Sequence, residues 1–534
     1  MNIDAGRMPI RRLPTGGAPW SVPLVPLLSR RARERIGVLV VLVLARYAGS
    51  HATTTLAAGV LGAVGLWMLL RHPRLALPGM VFLMGAVPLE INTGTGSGIN
   101  TAIAGLGLLG ALFLLRMLVD RRITLRSATA NAPWMALILS GFVSLVASAA
   151  LWNPWVVVKA NFIWVQMGQM GVFALSATAF WLVGNSPHGR EELRWVLVAF
   201  YLLVALRLVA WFVPGGGLVG RLLNWDGPTW RIWVVALSMG LALFHDGLSK
   251  ERRLLLVAMV PAVLLGPLLI SQNVAWEYQA WASGWVPATV ALLTILALWL
   301  NDRFRWGAIS LYVYGVGAAI LVFFQLLAAT DEERYSLDTR AIAWRGLVQL
   351  LRGNWLLGLG PASYWHYWKG VFGTISYLDP RTGYLHYTNE PTVNMHNNYL
   401  DILGQMGVVG VVILLWLFIA LLRTALRLFR TERNGFGRAY VVACIGALTG
   451  MAAAGMLGDW FLPFVYNIGF RGFKDSYLGW LLLGGLTLLD HTSRAVPVAA
   501  DTQPPPVGAP TSAGRSGMAL RDGPRHIHEE GQQH

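Results

Sequence analysis

Long apolar runs follow one another along almost the whole chain, and they limit the possible folds more than any other feature. Between residues 36 and 490 these runs are roughly 15 to 21 residues long. Since a helix rises about 1.5 Å per residue, such runs match a hydrocarbon core about 30 Å thick. Charged residues make up 13% of the chain, whereas soluble domains carry about 25%. The sequence therefore predicts an all-α fold, a polytopic membrane helix bundle.

The apolar runs predict about fourteen transmembrane helices. These lie near residues 36–49, 53–71, 76–92, 98–118, 132–150, 162–184, 194–213, 231–246, 254–271, 285–300, 307–328, 408–428, 438–457 and 476–490. The predicted segments are a basic cytoplasmic leader at 1–35, a transmembrane bundle at 36–328, a large helical external loop at 329–407, C-terminal spans at 408–490 and a cytoplasmic tail at 491–534. The Pro, Gly and Ser content of both ends predicts disorder, because such segments cannot bury an apolar core.

The net charge of +16 is spread over short connections between the runs and is not gathered in one patch. This distribution indicates membrane topology rather than nucleic-acid binding, and a basic rim also favours the anionic headgroups of a lipid bilayer. Because alternate connections carry the basic residues, the positive-inside rule predicts two cytoplasmic termini and an external loop at 329–407. The single cysteine, Cys444, excludes an intramolecular disulfide and a metal site built on thiolates.

Three of the predicted external connections carry cations against this topological bias. The first contains Arg221 and Arg231, the second is the loop at 329–407, and the third contains Arg471 and Lys474. Cations that oppose the positive-inside rule need another reason for their position. We therefore treat them as candidates for function.

The loop at 329–407 contains two patterns suited to binding an anion. Arg340 and Trp344 share one face of a predicted helix, where the guanidinium either stacks on the indole or binds a phosphate through two hydrogen bonds. Gly358 and Gly360 precede a proline, which gives either a simple turn or a helix start whose exposed N–H groups favour anions. The residues alone leave both alternatives open.

The run from Asn394 to Leu400 joins this loop to the next apolar run. On a helix, His396 lies on the same face as Tyr399 or Leu400, which predicts an imidazole at the outer mouth of the bundle. A single histidine is more often structural than catalytic, but two amides, Asn397 and Asn398, accompany this one. It is therefore a candidate proton acceptor.

Aromatic residues surround two further histidines of the loop, His366 and His386. Outside a membrane, such a cluster is either an interfacial belt or a platform on which the C–H faces of sugar rings stack. The sequence favours neither reading over the other.

Together these motifs resemble a known signature. Arg340 and Trp344, then NWLLGLGPASY, then HNNYLDILGQMGVVG resemble the signature of the O-antigen ligase and O-antigen polymerase superfamily. The resemblance covers about eighty residues directly, and the many-span layout agrees with it over most of the chain. It implies a metal-independent, inverting glycosyltransferase of the bacterial inner membrane that uses no cofactor. The donor would be a glycan on undecaprenyl diphosphate, and the acceptor a hydroxyl group of a lipid or glycan.

The resemblance also implies roles for individual residues. His396 matches the family's general base, and Arg340 matches the arginine placed on the diphosphate. A second family arginine corresponds to Arg221, but Thr229 replaces the asparagine expected nearby, so Arg231 remains a rival. The expected substrate-binding residues are completed by Trp344, Gly358, Gly360, Asn397, Asn398 and Tyr399.

The alternative from another functional class is a multi-span transporter or flippase. Transporters carry charges near the middle of the membrane, and the candidates here are few: Arg46, Glu90, Lys159 and Arg207. A large loop near the end of the chain has little use in transport. Ligase and polymerase share the signature, and the sequence does not distinguish them.

Overall fold

The computed structural model describes residues 71, 73–88, 90–92, 98–122, 124–213, 219–220, 223, 227, 229–270, 275–301, 304–328, 331–372, 375–378, 385–388 and 394–495. The helices of this part are α1 Ala76–Ala86, α2 Thr101–Val119, α3 Asn131–Ala150, α4 Phe162–Gly184, α5 Gly189–Phe212, α6 Thr229–Phe244, α7 Lys250–Ile270, α8 Ala275–Asn301, α9 Arg305–Ala328, α10 Asp331–Leu350, α11 Tyr364–Phe372, α12 Asn398–Thr431, α13 Gly435–Leu457 and α14 Gly469–Ala495. Two antiparallel hairpins pair β1 Glu90–Asn92 with β2 Gly98–Asn100 and β3 Ile375–Leu378 with β4 Leu385–Thr388.

Several of these helices fit a membrane. Among the described residues, 7 helices are long and apolar enough to cross one: α2, α3, α4, α5, α12, α13 and the Gly284–Asn301 part of α8. Shorter apolar helices lie at Ala76–Ala86, Thr229–Phe244 and Arg305–Leu321. The predicted all-α polytopic membrane protein is thereby confirmed, while the count of about fourteen spans stays a prediction.

Each predicted span from residue 76 onward coincides with a helix, but some boundaries differ. The span predicted at 76–92 ends at Ala86, because Glu90 belongs to the first hairpin. The span predicted at 408–428 begins at Asn398, because the side chain of Asn397 accepts hydrogen bonds from the first turn of α12. α14 continues to Ala495, into the predicted tail. The predicted leader, the predicted span at 36–49 and the predicted span at 53–71, except for its last residue, lie outside the described residues. The predicted tail from residue 496 also lies outside them.

The centre of the bundle is held by close helix packing at small residues. α13 packs against α6 and α8, where Gly240 faces the Ala439 carbonyl and Gly450 faces Ile232 and the Pro287 carbonyl. A Cβ atom would crowd each of these backbones, so glycine permits the close approach. This packing also fixes direction, since it sets the start of α6 beside the last turns of α13.

The described parts of residues 331–397, called the cap below, rest on one end of the bundle, called the loop end. A second apolar core separate from the bundle core joins the cap to this end; its members include Val156, Phe162, Ala343, Leu347, Leu351, Tyr364, Trp368, Met395, Phe464 and Val465. The Tyr364 hydroxyl donates to Asp401 of α12 at 3.2 Å, and Gln166 of α4 donates to Ser363 at 3.1 Å. The cap is therefore a packed part of the protein.

Candidate functional site

Three elements converge at the loop end around the start of α12. From α10, the Trp344 indole donates to the Met395 carbonyl at 2.9 Å, and Arg340 donates to the Leu457 carbonyl at the end of α13 at 3.5 Å. From the start of α12, Asn397 donates to the Met456 carbonyl at 3.4 Å. Arg340 and Asn397 thus hold the same last turn of α13. The two residues expected to act on a diphosphate and a proton, Arg340 and His396, are brought to one site.

The backbone of His396 is in the left-handed region, with φ of 45°. For a residue with a side chain this conformation costs about 1–2 kcal/mol, and it persists only where surrounding contacts enforce it. Those contacts are the bond from Trp344 to the preceding carbonyl and the cap of α12 on the following residue. The chain turns at this left-handed residue before the helix begins. His396 therefore precedes α12 and is not one of its residues, although the sequence predicts that it is.

The imidazole of His396 is held by a polar network from the loop at residues 458–468. Its Nδ1 lies 3.2 Å from Nδ2 of Asn467, which also donates to Asp459. The Asn394 side-chain amide donates to Oδ1 of Asn467 at 3.1 Å, and the Phe464 N–H donates to Asp459 at 2.8 Å. Asn467 therefore occupies the centre of the network and fixes the plane of the imidazole ring.

The electrostatics of this site keep the imidazole neutral. Burial, and secondly the positive charge of Arg340, lower the pKa of His396 to about 4. Burial raises the pKa of Asp459 to about 6, although hydrogen bonds from Phe464 and Asn467 favour its ionised form. At neutral pH the ring consequently carries no charge. Because an amide N–H can only donate, Nδ1 accepts from Asn467, so the lone pair of the ring is on Nδ1 and its proton is on Nε2.

Comparison with known families identifies this region. Residues 280–415 match the family model of O-antigen ligase. The predicted resemblance to the O-antigen ligase and polymerase superfamily is thereby confirmed. The match covers about a quarter of the chain, from α8 to the outer part of α12, and contains both Arg340 and His396. The search of curated proteins found no significant match.

Within the O-antigen ligase segment, Gly358 and Gly360 form a turn at the kink of α12. α12 is broken at Gly407, which has φ of 65° and ψ of −162°. The Leu359 and Gly360 N–H groups donate to the Gly404 and Gln405 carbonyls at 2.9 and 3.1 Å, and Val408 donates back to the Trp355 carbonyl at 2.8 Å. The Gly358 N–H donates to Asn354. These N–H groups thus complete the broken helix, and this geometry lends no support to the expected anion-binding role of the two glycines.

Three other expected binding residues of the O-antigen ligase segment hold the start of α12 in place. Asn397 caps the helix through the N–H groups of Tyr399 and Leu400, at 3.0 and 3.1 Å. Asn398 is fully buried and bonds Phe461 and Leu462 of the loop at 458–468. The Tyr399 hydroxyl donates to the Ala452 carbonyl at 2.8 Å. Their observed contacts position His396, and substrate contact by them stays a prediction.

Arg231, one of the two candidates for the second arginine, lies elsewhere in the bundle. Arg231 is buried near the start of α6, with its guanidinium carbon 5.8 and 5.7 Å from the ring centroids of Trp211 and Trp230. Because Ile232 packs on Gly450, Arg231 lies at the level of α13 about two turns from Leu457. Arg221 lies outside the described residues. The choice between these two arginines stays open.

Sequence reasoning missed Asp459 and Asn467. Both lie in the connection GDWFLPFVYN between α13 and α14, where a carboxyl and an amide interrupt an otherwise apolar run. A buried carboxyl group in a membrane protein is a signal of function. Asp459 lies outside the large loop at 329–407, where most of the other candidate residues lie. Only the fold brings this connection against His396.

Proposed function

We propose that this protein transfers a glycan from undecaprenyl diphosphate to an acceptor hydroxyl group at the external face of the bacterial inner membrane. The reaction is a metal-independent inverting glycosyl transfer of the O-antigen ligase or polymerase type. One observation carries the proposal: within the segment matching O-antigen ligase, a neutral buried imidazole and a guanidinium lie together at the loop end of a membrane bundle.

His396 is assigned to the acceptor. The acceptor oxygen attacks C1 of the donor sugar, its proton moves to the imidazole, and the C1–O bond to the diphosphate breaks. A ring that stays neutral at pH 7 can take this proton, and general base catalysis of this kind contributes about 10²- to 10⁴-fold. Because the Asn467 amide donates to Nδ1, Nε2 carries the ring proton before the reaction, and the acceptor's proton goes to Nδ1 as the hydroxyl group displaces the Asn467 N–H there.

Arg340 is assigned to the leaving group. Negative charge grows on the diphosphate as the C1–O bond breaks, and a guanidinium held in place stabilises it without reorganisation. The same charge offsets the effect of Arg340 on His396, so donor binding raises the pKa of the imidazole towards its ordinary value. The bound donor thereby makes His396 a stronger base.

The transporter alternative receives less support from the described residues. Glu90 lies in the first hairpin and pairs with Arg471 at 3.3 Å, with both side chains partly exposed. Lys159 is exposed in the connection between α3 and α4. Neither lies in the middle of a helix, where a transport pathway would need it.

The test is a transfer assay with purified protein, an undecaprenyl-diphosphate glycan and candidate acceptors, with products identified by mass. Loss of a general base or of a leaving-group cation predicts at least a 100-fold lower rate for His396→Ala and for Arg340→Ala. Asn467→Leu removes the bond to the ring together with the bonds to Asp459 and Asn394, so the whole network that orients the ring is lost, and we expect a fall of roughly 10- to 100-fold with an unchanged KM for the donor.

Matched controls separate chemistry from folding. Arg345→Ala removes an exposed guanidinium that bonds the Ala341 carbonyl of its own helix at 3.3 Å, and His245→Ala removes an imidazole near the end of α6. Both should transfer at the wild-type rate. Wild-type rates in His396→Ala and Arg340→Ala would refute the residue roles, and uptake of a solute by proteoliposomes without any glycan product would favour the transporter.

A further inference from the structure

An aromatic stack lies next to the proposed catalytic site. Trp365 of α11 and Tyr466 of the loop at 458–468 are parallel, with ring centroids 5.0 Å apart and 13° between their planes. His366 accepts or donates a 2.8 Å hydrogen bond at the Tyr466 hydroxyl and packs edge-on against Phe162 at 4.5 Å. Trp365 and Tyr466 are both half-buried, so part of the stack is open to solvent.

Two lysines lie near this stack. The ammonium nitrogen of Lys369 lies 5.8 Å from the Trp365 ring centroid. Lys159 lies near His366, because its charge acts on that imidazole and its backbone carbonyl accepts from the N–H of Phe162, which packs against the same ring. Both lysines are exposed. Burial first, then Lys369 and Lys159, lower the pKa of His366 to about 4, so this ring adds no charge at neutral pH. Among the described residues, no carboxylate forms an ion pair with either lysine.

The stack is joined directly to His396. Tyr466 precedes Asn467, whose amide nitrogen lies 3.2 Å from the imidazole. Below it, Tyr364 and Phe464 stack at 4.6 Å and hold α11 against the same loop. Arg340 reaches His396 from α10, whereas the stack reaches it from the loop at 458–468 and from α11. If the donor diphosphate binds at Arg340, the acceptor can bind at His396 from the side of the aromatic stack.

We propose that Trp365, Tyr466, Lys159 and Lys369 form the acceptor subsite, and that it takes a glycan carrying a phosphate or carboxylate group. This inference rests on the proposed function, which supplies the acceptor. Aromatic faces pack against the C–H faces of sugar rings, and exposed ammonium groups near them select an anionic substituent. An interfacial belt also explains exposed lysines beside aromatic rings, but it does not require the link from Tyr466 through Asn467 to His396.

The test measures acceptor binding without donor. The probes are a phosphorylated lipopolysaccharide core oligosaccharide and the same oligosaccharide after phosphatase treatment, each titrated calorimetrically into full-length protein in nanodiscs. The wild type should bind the phosphorylated form about tenfold more tightly, and the Lys159→Gln, Lys369→Gln double variant should lose that preference. Trp365→Ala should weaken both forms by roughly 5- to 10-fold.

Controls and kinetics distinguish the two proposals. Arg352→Gln removes an exposed cation of the same cap, and Trp155→Ala removes an indole that is 86% exposed in the neighbouring connection; both should bind like the wild type. His396→Ala should also bind normally. Equal binding of the two oligosaccharides, no binding at all, or an unchanged acceptor KM in the double variant that still makes product would overturn the subsite. Normal selective binding by a wild type that never forms product would instead overturn the proposed function.

Discussion

His396 combines two conditions that disfavour a protonated ring: burial and a neighbouring guanidinium. In the free protein these conditions reserve the lone pair, since the imidazole stays neutral well below pH 7. They would also make it a weak base if nothing changed during the reaction. In the proposed mechanism the donor diphosphate supplies that change, because its negative charge would face the same guanidinium. The proposed base would then be activated by binding of the donor.

This arrangement predicts an unusual pH dependence for kcat/KM, which reports the free enzyme. Because the pKa of His396 is lowered to about 4, the neutral form persists as pH falls, and activity should decline only below about pH 5. Asp459, with a pKa of about 6, can add a second inflection near pH 6, and Asp459→Asn should remove it. The measurement is transfer rate at low substrate from pH 4 to 8. A decline centred at pH 6.5 that persists in Asp459→Asn would contradict the lowered pKa.

At this scale the sequence could predict the residues that share one segment. Arg340 and His396 both lie in the segment that carries the family signature, and the structure brings them together as expected. Asp459 and Asn467 could not be predicted, because two whole helices, α12 and α13, separate them from His396 in the sequence. Their contact with the imidazole exists only once α12, α13 and α14 have packed.

At the scale of single elements, the break in α12 decides how the site is held. Gly407 adopts positive φ, and the turn at residues 355–360 fills the gap with its own N–H and carbonyl groups. The outer part of α12, which begins beside His396, is therefore fastened to the cap by backbone hydrogen bonds. From the sequence, Gly358 and Gly360 could form either a simple turn or an anion-binding helix start. The choice could not be made there, because the carbonyl groups of α12 that their segment bonds lie more than forty residues away in the chain.

Gly407→Ala should lower the stability of the protein. An alanine is strained at this φ, and its Cβ would meet the carbonyl groups of Trp355 and Leu356, which are backbone atoms with little freedom to move. We expect a loss of about 2–4 kcal/mol, seen as a lower midpoint of thermal unfolding in detergent, together with reduced transfer activity. The control is Gly171→Ala in α4, where a Cβ meets nothing within 4 Å. Equal unfolding midpoints for the two variants would show that the break at Gly407 does not contribute to the stability of the protein.

At the scale of the whole molecule, the basic residues of the predicted cytoplasmic connections and the candidate site lie at opposite ends of the bundle. Away from the cap, Arg190 pairs with Glu432, and Arg427 and Arg494 bind Asp490 at 2.9 and 2.8 Å. These basic residues belong to the connections that the positive-inside rule assigns to the cytoplasm. The fold class could be predicted from hydropathy alone, because the thickness of the bilayer sets the length of a spanning helix. The cap lies outside the spans, so bilayer thickness does not set the length of its helices, and its packing could not be predicted.

Orientation can be tested by cysteine labelling. Cys444 is buried, so a Cys444→Ala background should carry Arg352→Cys or Ser249→Cys, at exposed positions of the cap and of the opposite end. A membrane-impermeant maleimide added outside the inner membrane should label Arg352→Cys and leave Ser249→Cys unlabelled until the membrane is permeabilised. The reverse pattern would put the site in the cytoplasm and exclude an externally delivered donor.

The interrupted α12 also bears on how the protein is made. Residues 355–360 leave the ribosome before the helix whose gap they fill. A backbone group left without a partner at the membrane is unfavourable by several kcal/mol, so α12 reaches its final shape only when that earlier turn lies beside it. With the loop end on the external face, as proposed, export of residues 355–360 comes before the candidate site is complete, and a stalled translocation would yield an inserted but inactive chain.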